Sequence, residues 1–189
     1  MKLPDVPTFL DFEASSLAID SYPIEVAWND AAGKIESYLI SPAGVANWTD
    51  WDMQAQALHG ITRKELLAHG KTPAWVCQRI RECLAGRTLY SDNPDYEEMW
   101  LTTLFAAAGA ADNPTLEMES LESGKFAIEH VDELLIQTVC RGMTRGRAKC
   151  LYKIDLMKHE ARQLVAGIHR AGWDVEYLVK LWRLTVKHS

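Results

Sequence analysis

Apolar and polar positions change their period several times along this chain, and each change predicts an element. From Thr8 to Ala14 the run Thr-Phe-Leu-Asp-Phe-Glu-Ala is short, aromatic and mostly apolar, the pattern of a buried strand. Ile24 to Trp28 and Ile35 to Ile40 repeat that pattern. Between them, Asn29-Asp30-Ala31-Ala32-Gly33 predicts a hairpin-like connection, so an antiparallel meander is expected. Ser41 to Asp50 contains Pro42, Gly44 and Asn47 and is expected to be loop.

Helical spacing begins at Trp51. Thr62-Arg63-Lys64-Glu65 has the form of a capping box ahead of Leu66 and Leu67, and Gly70 stops that helix. Thr72-Pro73 opens the next, with Trp75, Val76, Ile80, Cys83 and Leu84 on its apolar face and Gly86 at its end. The pattern then predicts a strand at Arg87 to Ser91, a helix at Tyr96 to Ala108, a strand at Thr115 to Met118 and an amphipathic helix at Phe126 to Cys140. A basic, glycine-containing break from Arg141 to Lys149 precedes two last helices, Ile154 to Ile168 and Val175 to Val186. With no internal repeat and no linker, the expectation is one α/β domain over residues 1–189, a mixed sheet flanked by helices.

Composition narrows the function. Twenty Lys and Arg against twenty-six Asp and Glu leave a net charge of −6, which argues against coating long duplex nucleic acid by charge alone. A small nucleic-acid substrate stays open. Cys77, Cys83, Cys140 and Cys150 form no C-x-x-C pair and are expected to be free thiols. No signal peptide is indicated, and no apolar run reaches the roughly 20 residues of a membrane span, so a cytoplasmic protein is expected.

The chemistry is concentrated in three stretches. Strand alternation sends Asp11 and Glu13 to one side and Leu10 and Phe12 to the other. Neighbouring carboxylates on an apolar strand repel unless a cation shares them, and hard oxygen ligands suit Mg2+ or Mn2+. The alternative is an edge strand with a polar face. Further on, Ile168-His169-Arg170-Ala171-Gly172-Trp173-Asp174 puts a histidine five residues ahead of an acid at a helix start. It reads as a general base beside a metal ligand, or as a surface histidine beside a helix cap. Between them, Asp92-Asn93-Pro94-Asp95-Tyr96-Glu97 runs from a strand end into a helix. Asp95 reads as an N-cap, whereas Asp92 and Glu97 lie at the sheet's carboxyl edge, where α/β proteins place their sites.

In this order of motifs the chain resembles the DEDDh 3'-to-5' exonucleases, which include ribonuclease T, oligoribonuclease and the proofreading subunit of DNA polymerase. Asp11-Phe12-Glu13 matches the family's opening Asp-x-Glu, with Leu17 at the position of the leucine that follows. His169 and Asp174 match its His-x4-Asp, and Ala57-Leu58-His59-Gly60-Ile61-Thr62 is similar to the His-Gly-Ile segment of many members. The second motif departs from the pattern: Glu97 stands where the family has a metal-binding aspartate, and Asp92 is placed to share that role.

The resemblance implies a ribonuclease-H-like fold and two-metal hydrolysis of phosphodiester bonds in single-stranded RNA or DNA or short oligonucleotides. Asp11, Glu13, Asp174 and Glu97 or Asp92 would hold two Mg2+ or Mn2+ ions, with His169 as general base. It further implies that Leu17 and Ile61 bracket the terminal base near His59, where the alternative is that both are ordinary core, that backbone near Ser15 and Ser16 meets the terminal sugar, and that a homodimer is open to the chain. Arg141, Arg145, Arg147 and Lys149 read either as phosphate contacts or as solvated loop charge. The rival reading is a weakened member that binds nucleic acid or a protein through the same groove. A phosphodiesterase for nucleotides is a third.

Overall fold

The computed structural model describes residues 5–112, 127–141 and 147–188. Five strands, β1 (Thr8–Ala14), β2 (Pro23–Asn29), β3 (Ile35–Leu39), β4 (Thr88–Ser91) and β5 (Ala127–His130), form one sheet in the order β3-β2-β1-β4-β5. β1 to β3 pair antiparallel, as the meander predicts, and the turn between β2 and β3 closes on Gly33 at φ 81°. β4 and β5 add in parallel on the other side of β1, so the sheet is mixed and β1 lies at its centre.

Alternation along β1 gives the two faces different tasks. Leu10, Phe12 and Ala14 join Ile24, Val26 and Trp28 of β2 in a core covered by α3 (Pro73–Leu84) and α4 (Pro94–Asp112). Phe9 and Ala27 lie on the opposite face under α5 (Val131–Val139), α6 (Arg147–Gln163) and α7 (Ala171–Lys187). On that second face the apolar packing gives way to acid at the carboxyl end of β1. Two short helices, α1 (Met53–His59) and α2 (Arg63–His69), connect the meander to α3. Asp52, Thr62 and Thr72 cap α1, α2 and α3 in turn, each accepting from a first-turn N–H.

Several boundaries differ from expectation. The helix expected over Phe126 to Cys140 is a strand followed by a shorter helix. Ala127 to His130 finds the open edge of β4, and the His130 ring then accepts from the Asp132 N–H to start α5. Local periodicity could not see that edge. The helix expected at Ile154 begins at Arg147, inside the basic stretch, and ends at Gln163, which leaves Ile168 and His169 in the turn before α7. Arg145 and the strand expected at Thr115 to Met118 lie outside the described residues.

Trp28, Trp48 and Trp100 are buried, while Trp75 and Trp173 are the large exposed indoles. Cys77 and Cys150 are buried, and Cys83 and Cys140 are half-buried. Among the described residues, no helix is long and apolar enough to cross a membrane.

Candidate active site

Asp11 and Glu13 emerge from the carboxyl half of β1 on the face covered by α7. That helix packs across β1 and β2, and its first turn delivers Asp174 to the same place. One carboxylate oxygen from each of Asp11, Glu13 and Asp174 lies within 4.8 Å of the others. Glu97, in the first turn of α4, comes to Asp11 from the other side of the sheet edge and is 2% exposed. Its carboxyl is bonded by the Phe12 backbone and the Ser91 hydroxyl, and Oε2 has no hydrogen-bond partner. Asp92 stands just beyond β4 with an exposed surface.

These acids work against one another. Burial holds the Asp11 carboxyl well above its ordinary range, and Glu97, Asp174, Glu13 and Asp92 add to the rise. Glu13 is pushed up to about 8 by burial, then by Asp174. Glu97 is raised by burial and then by Asp92, and Asp92 itself by desolvation and then by Asp174. A cluster of this kind, with one buried oxygen orphaned, is the donor set that a hard divalent cation satisfies. The residues therefore fit Mg2+ or Mn2+.

His169 is exposed and holds φ at 57°, in the left-handed region that side chains other than glycine seldom adopt. It is near enough to His59 for its charge to lower that ring's pKa, after the larger effects of burial and Arg170. His59 is buried. Its Nδ1 accepts from the Ile61 N–H at 3.0 Å, which leaves the neutral ring's proton on Nε2, an atom without a partner.

The residues expected to grip substrate separate. Leu17 is 70% exposed, but Ile61 is fully buried in the core and presents no side-chain surface. The Ser15 and Ser16 hydroxyls both donate to Asp50 Oδ2 at 2.7 Å. Ser15 backbone is also committed, N–H to Tyr22 and C=O to Asp52. Of the basic run, Arg141 and Lys149 are exposed, and Arg147 opens α6.

Two charged residues near the acids went unread in the sequence. Arg162 of α6 donates to Asp174. Glu25 of β2, opposite Glu13 in register, is 4% exposed and holds Arg170. The one signal for Glu25 was an acid inside the apolar run Ile24 to Trp28; Arg162 gave none.

No family model matches the sequence, nor does any curated protein. Solved structures do. A zinc-bound complex of E. coli exonuclease I with single-stranded DNA superposes with a TM-score of 0.58 at 14% identity over 97% of this chain. Another structure of exonuclease I gives 0.62 at 17% identity over 96%, and a product-bound one 0.60 at 14% over 98%.

The fold is that of exonuclease I.

The mixed sheet and its flanking helices are the ribonuclease-H-like fold implied by the motifs. At these identities the likeness is one of fold. The chain spans 40%, 41% and 44% of those three exonuclease I chains.

Proposed function

We propose that this chain is a metal-dependent nuclease that removes nucleotides from the 3' end of single-stranded nucleic acid or short oligonucleotides. The observation that carries the reading is the meeting of Asp11, Glu13 and Asp174 within 4.8 Å at the sheet's carboxyl edge. Glu97 is buried behind them, and its extra methylene gives the carboxyl the reach to stand beside Asp11. Support comes from a fold shared with a nuclease solved on single-stranded DNA and on a dA16 oligonucleotide.

Asp11, Glu13, Asp174 and Glu97 would hold two Mg2+ or Mn2+ ions, with Asp92 in reach. When bound, such ions make water a better nucleophile and stabilise charge on the leaving oxygen. His169, exposed on the turn ahead of Asp174, takes the proton from the attacking water. Leu17 offers an apolar surface to the terminal base, and the buried His59 Nε2–H is a donor without a hydrogen-bond partner in the protein. With Ser15 already bonded, a contact to the terminal sugar falls to backbone at Ser16 and Leu17.

Incubating the protein and Mn2+ with oligonucleotides labelled at one end or the other tests this. Mononucleotides should leave from the 3' end, chelator should stop the release, Asp11→Ala should abolish it, and His169→Ala should cut it to a small residual rate. Full activity in either variant would overturn the assignment. A wild-type protein that takes up no Mn2+ in calorimetry would instead be a binding module.

A further inference from the structure

The turn that carries His169 and the helix that carries Asp174 are both fastened to the sheet by one carboxylate. Glu25 accepts from Arg170 Nε and Nη2, each at 2.9 Å, from the Ala171 N–H at 3.1 Å, and from the Ser37 hydroxyl at 3.0 Å. Four donors therefore converge on two oxygens that are almost wholly buried. Arg170 is the residue before α7, yet its side chain makes no capping bond. The cap comes instead from β2, a distant part of the chain, because Glu25 takes the N–H of Ala171. This places an acid at the positive end of the helix, where it is most favourable. Arg170 also immediately follows His169, whose left-handed backbone needs outside support to persist.

We infer that Glu25 and Arg170 are positioning residues, a bidentate pair on a buried carboxylate that sets the approach of the His169 imidazole to the acids and the register of Asp174 on α7. The inference rests on the roles given to His169 and Asp174 above. A forked arginine–carboxylate pair fixes direction as well as distance, which a single bond would not. Glu25 lies directly across from Glu13 in the β1–β2 register, so a rigid pair there also fixes the geometry between the turn and the strand acids.

Two measurements on the full chain test this. In turnover assays, Glu25→Gln should lower kcat roughly ten- to a hundredfold, with KM within about twofold. Placed in a His169→Ala background, the same change should cost clearly less than it does in the wild type, because the share that acts through His169 has nothing left to position. In carbon–proton spectra of the imidazoles, the His169 signal, assigned as the one His169→Gln removes, should move toward that of a free histidine in Glu25→Gln. Arg170→Lys, which keeps the charge and loses the fork, carries both tests if Glu25→Gln does not fold. Multiplicative losses in the double variant, or a His169 signal that stays where it is, overturn the inference. A wild-type protein without nuclease activity whose His169 signal does move overturns the functional reading instead and leaves the hold on the turn standing.

Discussion

Arg162 donates to Asp174 Oδ1 across 2.9 Å while its guanidinium carbon lies 3.9 Å from the centroid of the Tyr177 ring. A divalent cation at the acid cluster seeks oxygens of the same carboxylate. Arg162→Gln is therefore expected to tighten Mn2+ binding, by roughly two- to fivefold, since a half-exposed ion pair is worth about 0.2–1 kcal/mol. Calorimetry of both proteins at one pH checks this. Weaker binding in the variant would mean that the arginine supports the site rather than competing for it.

The acids give stability a characteristic pH dependence. Glu13 holds its proton up to about 8 when folded, against an ordinary value of 4.5, so the folded chain binds more protons than the unfolded one across that interval. Stability from this group is complete below the lower value and is lost as pH rises through the upper one. Burial moves Asp11 and Glu97 in the same direction. In chelator, Tm should fall as pH rises from about 4.5 to about 8 and level off above that. Added Mn2+ should raise Tm most at the alkaline end, where its ligands are deprotonated. A Tm independent of pH in chelator would contradict the crowding of these acids.

Asp11 receives repulsion from four neighbouring acids in addition to its burial. Asp11→Asn removes a buried ionisable group without changing shape. It is expected to stabilise the metal-free protein by roughly 0.5–2 kcal/mol while abolishing nuclease activity, the usual opposition of function and stability at a site. Denaturant unfolding in chelator measures the first part and the oligonucleotide assay the second.

Leu17 and Ile61 should respond in opposite ways to truncation. Ile61 is fully buried, and Ile61→Ala should cost about 2–5 kcal/mol of stability. Leu17 is 70% exposed, so Leu17→Ala should change stability by less than about 0.5 kcal/mol. If Leu17 meets the terminal base, the variant should raise KM several-fold with little change in kcat. An unchanged KM would remove Leu17 from the substrate site.

What the sequence made legible follows the range of the interactions involved. Asp11 and Glu13 share a face because side chains alternate along a strand, and the helix starts at Thr62 and Thr72 are capped by the residue three places before the bonded N–H; both are local effects. The strand at Ala127 to His130 was missed because a four-residue segment has too short a pattern to outweigh the helix beside it, and its identity depends on the edge of β4. Glu25 and Arg170 were missed for a related reason. Each residue type is ordinary where it stands, and their bond links segments far apart along the chain. Ile61 read either as a bracket on the terminal base or as ordinary core, and the turn after α1 folds it inward to the core.

The sheet order has a temporal consequence. β1, at the centre, is made before α7, which brings the acid that completes its cluster. A nascent chain that has not yet emerged past Asp174 carries two mutually repelling acids on a strand and lacks the third ligand. The three-acid cluster, and any hold it has on a divalent ion, would therefore exist only once α7 has been made and has packed on the sheet.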